Sequence, residues 1–469
     1  MTLSETVRQT HRRLSEVNLR FLERALGDPA FSRRESFRAL DRQDYIFRYP
    51  VQSWPTFIDP SLSAEMAAVS LGLCRLVKSV PRRFFGLDPA RLASFYGLEP
   101  ERARFLSRIL GDQDYVDSLL ARGDFILADS GFQCLEINIC SNLGGLQSSL
   151  LARAYPRIPL FEGFVRDHGL SVETPRTVER MFQHLVREAE KRSLSDDELH
   201  LAILVKPGDM AGCLPIAGVI EGELQAALRQ AGGTRTGTAA FCLNHQLQER
   251  GSRLTLDGRR VHVVLELSAE RAGPHVLRCW QEGHVVLLNG PLGREVLSSD
   301  KRNLALLSEH QGSDLFDPEE QALIRAHVPW TRIVQPGSCR FNGREVDLAE
   351  LLSAERERFI LKPANSSAGQ GVCIGDRTSP EAWRACLLGA LEGERPWVVQ
   401  ERVPPEVHVY QHGEDDHALH EVTWGLMTYG ATYAGGYLRM LPAGGDGVVN
   451  SGQGAADGIL FEVTGAGAS

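Results

Sequence analysis

A chain of 469 residues is too long for one core of ordinary size, so two or three domains sharing an interface are expected. With 43% hydrophobic and 24% charged residues and no long biased tract, it belongs with ordinary globular proteins rather than disordered or fibrous ones. The net charge of −9 speaks against nonspecific nucleic-acid binding, which relies on Lys and Arg to neutralise phosphates, and leaves small substrates open.

At the N-terminus Leu14, Val17, Phe21, Leu22 and Ala25 are spaced as one face of a helix, a pattern unlike a secretion signal. No run of about eighteen apolar residues occurs, so no membrane span is expected. Nine cysteines without a Cys-x-x-Cys pair fit neither a disulfide framework nor a zinc site; they suggest a reducing cytosol, with Cys134 and Cys373 as core filler. Residues 1–190 form a mostly helical region with aromatic and Pro-rich loops. Within it Tyr49, Trp54, Arg82 and Arg83 are candidates to face a substrate, although structural roles are the more economical reading. Residues 196–298 alternate strand, helix and strand, with apolar runs at 201–205, 261–267 and 285–288 and a helix over 218–231, which suggests a small α/β layer. The third region, 299–469, opens with a helix over 301–309.

Two segments carry chemistry. The first is a hairpin: Phe125–Ala128 and Phe132–Asn138 read as strands joined by a three-residue turn, Asp129-Ser130-Gly131. That register sets Asp124 opposite Glu136, and Glu136 and Asn138, two apart, share a face. Carboxylate and amide oxygens held together in this way suit Mg²⁺, while the plain alternative is a polar strand edge facing water. The glycines of Ser141-Asn142-Leu143-Gly144-Gly145 fit either an anion near a helix start or simple loop punctuation.

The second is Phe359-Ile360-Leu361-Lys362-Pro363, a strand ending in lysine, followed by Ser366-Ser367-Ala368-Gly369-Gln370-Gly371 and a returning strand. Backbone amides of such a loop, with one lysine, suit the β and γ phosphates of a nucleotide, and a simple hairpin turn is the plain alternative. Gly-Lys-Ser/Thr is absent, and the loop precedes a strand instead of opening a helix, which disfavours a Walker loop and a nicotinamide site.

Taken in order, Asp300-Lys301, Pro329-Trp330-Thr331, the Lys362 strand and its loop, Gln400-Glu401-Arg402-Val403, Arg439 and Asn450 resemble the succession of motifs in ATP-grasp ligases. There the metal-binding segment normally comes last; here it comes first. The chain therefore resembles the circularly permuted ATP-grasp group and is similar to the synthetase part of glutathionylspermidine synthetases.

That resemblance implies an α/β fold with α+β elements, a helical N-terminal region bearing the permuted hairpin, a Rossmann-like pre-ATP-grasp domain and two nucleotide-binding lobes. It implies ATP held by Lys301, Lys362, Ser366, Ser367, Gly369, Gln370 and Gly371, with Gln400, Glu401 and Val403 at the adenine. Mg²⁺ would fall to Asp124, Glu136 and Asn138, with Asp129 competing for the first place, and Arg439 and Asn450 would face the reacting phosphate. The implied activity is an ATP-dependent carboxylate–amine ligase working through an acyl phosphate on a small acid, amino acid or peptide, free or carrier-bound. No nucleic acid or membrane partner is implied, and a homodimer is compatible. A phosphotransferase and a catalytically silent ATP-binding module are the alternatives. The second gains from one departure: His420-Glu421-Val422 stands where many relatives have Asp-x-Arg.

Overall fold

The computed structural model describes residues 4–28, 50–141, 144, 146–174, 176–192, 194, 197–231, 236–267, 270–293, 295–297, 300–366, 369–413, 416–445 and 449–466. The protein is a mixed α/β structure, and three sheets determine where its functional groups meet. The largest has eight strands and draws on both ends of the chain. Its middle is a meander of Asp416–Tyr429, Thr432–Pro442 and Ala456–Ala466, and the early hairpin, Leu120–Ala128 with Gly131–Asn138, joins along Asp416–Tyr429. That junction is antiparallel and pairs Trp424 with Phe125, Gly425 with Asp124 and Leu426 with Gly123. Thr56–Ile58 completes one edge, running parallel to Leu460–Glu462.

A 26-residue helix, Pro60–Phe85, packs across this sheet. Proline opens its first turn, where no N–H is needed, and Gly86 ends it in the left-handed conformation at φ 60°. Its buried face, including Met66, Val69, Leu73, Leu76, Val77 and Val80, shares one core with Trp424, Leu426, Leu438 and Leu460 of the sheet.

The three apolar runs read from the middle of the chain, joined by Thr236–Cys242, which was not read as a strand, form a four-stranded parallel sheet in the order Val286–Leu287, Val263–Glu266, Glu198–Leu204, Thr236–Cys242. Helices Thr177–Lys191 and Ala217–Gln230 bury Phe182, Leu185, Ile220 and Leu224 with Leu201, Ile203 and Leu265. A third sheet is antiparallel, in the order Thr331–Ile333, Trp397–Glu401, Phe359–Pro363, Cys373–Ile374. Helix Pro380–Glu392 packs Trp383 and Leu387 against its Phe359, Leu361 and Val399. Among the described residues no helix is long and apolar enough to cross a membrane.

The N-terminal helical face divides into two helices, Glu5–Leu14 and Glu16–Gly27. Ser15 is extended between them; its hydroxyl accepts from the Asn18 N–H at 2.9 Å and donates to the Phe57 carbonyl at 2.8 Å, so tertiary docking breaks the helix at its own cap. These helices cover strand Val407–His412. There His11 Nε2 accepts from the Val409 N–H at 2.9 Å, and the His11 and His408 rings lie 5.3 Å apart. Neither ring nitrogen of buried His408 finds a hydrogen-bond partner among the described residues.

Burial, reinforced by nearby Arg13, lowers the His408 pKa to about 4, and burial with His408 lowers that of His11. An unfolded histidine titrates near 6.5, so between pH 6.5 and 4 the unfolded chain binds the proton that the folded chain refuses, and stability drops as pH falls through that window. At pH 5 His408 alone should cost about 2 kcal/mol relative to pH 7. Urea midpoints at the two pH values should therefore differ less in His408→Phe than in the natural protein; equal pH sensitivity would remove His408 as the cause.

Candidate functional site

The hairpin strands close on a two-residue turn, Asp129 and Ser130, because Ala128 already pairs with Gly131, which sits at φ 100°. The three-residue turn expected from sequence is thus one residue too long. Asp124 nevertheless pairs with Glu136, because Phe125 pairs with Cys134 and Leu135 bulges out of the ladder. A shorter turn and an extra strand residue cancel, and beyond the bulge Glu136 and Asn138 turn to the face of Asp124. Asn138 Nδ2 lies 3.1 Å from Glu136 Oε1 and 3.5 Å from Asp124 Oδ2. Asp129 stays exposed at the turn, so Asp124 is the aspartate that joins Glu136 and Asn138. Carboxylate and amide oxygens are the ligand types that Mg²⁺ accepts, and here Asn138 turns its Nδ2 rather than its Oδ1 toward the two carboxylates. No set of three His, Cys, Asp or Glu side chains suited to a metal gathers among the described residues.

Asp124 is buried between two arginines. Arg122 Nε donates to its Oδ1 at 2.7 Å and Arg122 Nη2 to its Oδ2 at 3.0 Å, while Arg439 Nη2 lies 2.7 Å from Oδ1. Burial pushes this carboxyl upward, but Arg122 and Arg439 outweigh it and hold the group well below the usual carboxylate range. Sequence reading missed Arg122. The alternation that paired Glu136 with Asn138 also places Arg122 and Asp124 on one face, and that was the available signal. Gly425, opposite Asp124, makes the arrangement possible: a Cβ there would lie 2.9 Å from the Tyr437 ring and 3.3 Å from Arg122 Cδ. Arg439 is 4% exposed, and its Nε has no hydrogen-bond acceptor among the described residues.

The third sheet brings its lysine to this hairpin. Lys362 Nζ donates to the carbonyl of the bulged Leu135 at 3.2 Å and to Gln400 Oε1 at 2.6 Å. Burial lowers its pKa to about 8, with Glu136 pulling it up and Lys301 pushing it down. Lys301 Nζ donates to the Ser366 carbonyl at 2.7 Å and sits 3.4 Å from Glu136 Oε2. These groups border one cleft. Asp124, Glu136, Lys301, Lys362, Ser366, Gly369, Val403, Arg439 and Asn450 line it, together with aliphatic Ile126, Leu135, Ile360, Val372, Ile374 and Val449.

Other expected residues stand elsewhere. Gln400 is buried and does not line the cleft; its Nε2 donates to the Cys134 carbonyl and to Thr331 Oγ1, both at 3.2 Å, so it ties the third sheet to the hairpin. Glu401 pairs with Arg358 at 2.8 Å, its N–H is taken by the Trp330 carbonyl, and it too is off the cleft. Gln370 and Gly371 are exposed; Gly369 and Gly371 have φ near 71° and 72°, and the loop folds back on Pro363. Asn450 does line the cleft, but its Oδ1 is engaged locally, accepting from the Gly452 N–H at 2.8 Å.

Trp54 is in the core beside Phe21. Arg82 donates to backbone carbonyls and Arg83 grips Glu320 with two hydrogen bonds, so all three are structural. Tyr49, Asn142, Leu143, Gly145, Ser298, Ser299, Ser367 and Ala368 lie outside the described residues. Cys134 is fully buried, as expected of core filler, whereas Cys373 is half-buried and paired with Cys386 in a disulfide across the third sheet and its helix, against the expectation of unpaired thiols.

No protein-family model and no curated protein matches this chain. The reading of the site therefore rests on its own chemistry.

Replacing Asp124 by Asn should destabilise the fold by about 3–5 kcal/mol, since Arg122 and Arg439 would be left buried side by side without a counter-charge. Urea unfolding of Asp124→Asn beside Asp129→Asn checks this; the turn variant should match the natural protein, and equal stability of both variants would refute the assignment.

Proposed function

We propose that the protein is an ATP-dependent carboxylate–amine ligase of circularly permuted ATP-grasp architecture. The observation that carries this reading is the convergence, in one cleft, of Lys301 and Lys362 with Asp124, Glu136 and Arg439 from segments far apart in the chain, with Asn138 beside the two carboxylates. The residues fit MgATP in kind: an acceptor trio for a divalent cation, two lysines and a buried arginine for phosphate oxygens, and an aliphatic lining for a base. Bound MgATP would supply the phosphoryl group that turns a carboxylate into an acyl phosphate, from which an amine displaces phosphate to form the amide.

The chain's own part is positioning and charge. Phosphoryl transfer needs little covalent help, so fixed cations and a water-excluding cleft are the relevant equipment. Lys362, kept cationic at neutral pH by a pKa of about 8, and Lys301 would hold phosphates, and Ser366 and Gly369 would back them from the loop. Arg439, with its Nε unpartnered among the described residues, would meet the transferred phosphate or the acid. Small acids, amino acids or short peptides are the substrate class, in the cytoplasm.

Hydroxylamine trapping tests this directly. With MgATP, hydroxylamine and a panel of amino acids, dicarboxylates and short peptides, the natural protein should release ADP and form a hydroxamate with at least one acid. Glu136→Ala should lose about 100-fold or more of that rate. ADP release that Glu136→Ala does not diminish would rule the proposed site out.

A further inference from the structure

The departure at His420-Glu421-Val422 has a physical reading in the fold. Strand alternation turns His420 away from the cleft, where it is buried beside Tyr410 and His412. Glu421 therefore faces the cleft and meets the Arg377 guanidinium, which comes from the third sheet. Each of the two side chains is only 15% exposed. An exposed ion pair contributes little, but in one mostly withdrawn from water the loss of Arg377 would leave the Glu421 carboxylate in the cleft wall without this counter-charge.

Arg377 projects from a turn that is fixed on both sides. Gly375 donates to the Phe359 carbonyl at 3.0 Å, and a Cβ on it would lie 1.8 Å from the Arg356 carbonyl oxygen, so only glycine fits. Arg356 donates to the carbonyls of Gly375 and Thr378, and Asp376 pairs with Arg402 at 3.1 Å. The guanidinium is presented by a rigid support rather than by a mobile loop.

The third sheet is already tied to the large sheet at the hairpin, through Lys362 to Leu135 and Gln400 to Cys134. Those contacts all reach Gly131–Asn138, whereas Glu421 stands on Asp416–Tyr429, two strands away. The chain also passes directly from Trp397–Glu401 into Val407–His412, where the Glu406 N–H donates to the Leu127 carbonyl at 2.8 Å; a tie at Glu421, displaced from both attachments, would fix the angle between the walls.

We propose that Arg377 and Glu421 form a clasp that sets the closure of the cleft and so positions the nucleotide; the nucleotide part rests on the function proposed above. Both residues line the cleft, and the role assigned to them is to position its walls.

The test measures MgATP affinity by calorimetry and amide hydrogen exchange over residues 372–379 in the ligand-free protein. Arg377→Gln, Glu421→Gln, the double variant and the charge swap Arg377→Glu with Glu421→Arg are compared with the natural chain. A clasp predicts that each single variant weakens MgATP binding about tenfold and speeds exchange, that the double variant is no worse than either, and that the swap recovers binding to within about threefold. Unchanged affinity and exchange in the single variants, or losses that simply add in the double variant, would overturn it. If the natural protein binds no MgATP, the nucleotide reading fails and exchange alone decides: acceleration restored by the swap upholds the tie between the walls, and no acceleration refutes it.

Discussion

Asp124 is the group on which the site is built. It sits on the hairpin strand opposite Gly425, while Arg439 lies on the far side of Asp416–Tyr429, opposite Thr423, so the Arg439–Asp124 contact runs diagonally across a whole strand. With Arg122 two residues away on the same face, one carboxylate is gripped by two guanidinium groups. Its charge is the reason that both arginines can be buried, and their surplus positive charge is the reason that the cleft suits an anion. The carboxylate also lies within reach of Asn138 and opposite Glu136, so the acidic and the basic groups of the cleft are set by one arrangement.

This arrangement spans most of the chain. The hairpin closes locally, but its place in the sheet depends on strands that come almost three hundred residues later, and the lysines arrive from still other segments. Contacts so remote in sequence require large parts of the chain to be ordered together, so the site is a product of the assembled sheets rather than of any one motif.

Some of this was legible beforehand, and the reasons differ from element to element. The parallel sheet was readable because a strand covered on both faces leaves a continuous apolar run, as at Leu201–Val205. The facing of Asp124 and Glu136 was readable only because two errors cancelled: nothing in the sequence marks Leu135 as a bulge, since the bulge is set by the carbonyls of Cys134 and Leu135 meeting Gln400 and Lys362. Gln400 was expected at the adenine only from the resemblance to ATP-grasp ligases, and its side chain is consumed in joining the sheets. The break at Ser15 was hidden for a similar reason, as helical spacing continues through it and only docking on Phe57 turns the backbone.

The same logic explains why a buried lysine is tolerated at the junction of two sheets. Lys362 is largely buried at the cleft wall, and burial lowers its proton affinity, but one carbonyl, one amide oxygen and the field of Glu136 favour its charged form. The partners come from two elements: Leu135 and Glu136 from the hairpin, Gln400 from the neighbouring strand of its own sheet. A shift of one sheet against the other by one hydrogen-bond length would break the Leu135 bond and weaken the field of Glu136, leaving the ammonium with Gln400 alone. Lys362 therefore senses the spacing between the walls as well as any anion between them. On the proposed reading, closure of the cleft and retention of phosphate are one electrostatic event, because the charge that would hold the ligand also registers the two sheets.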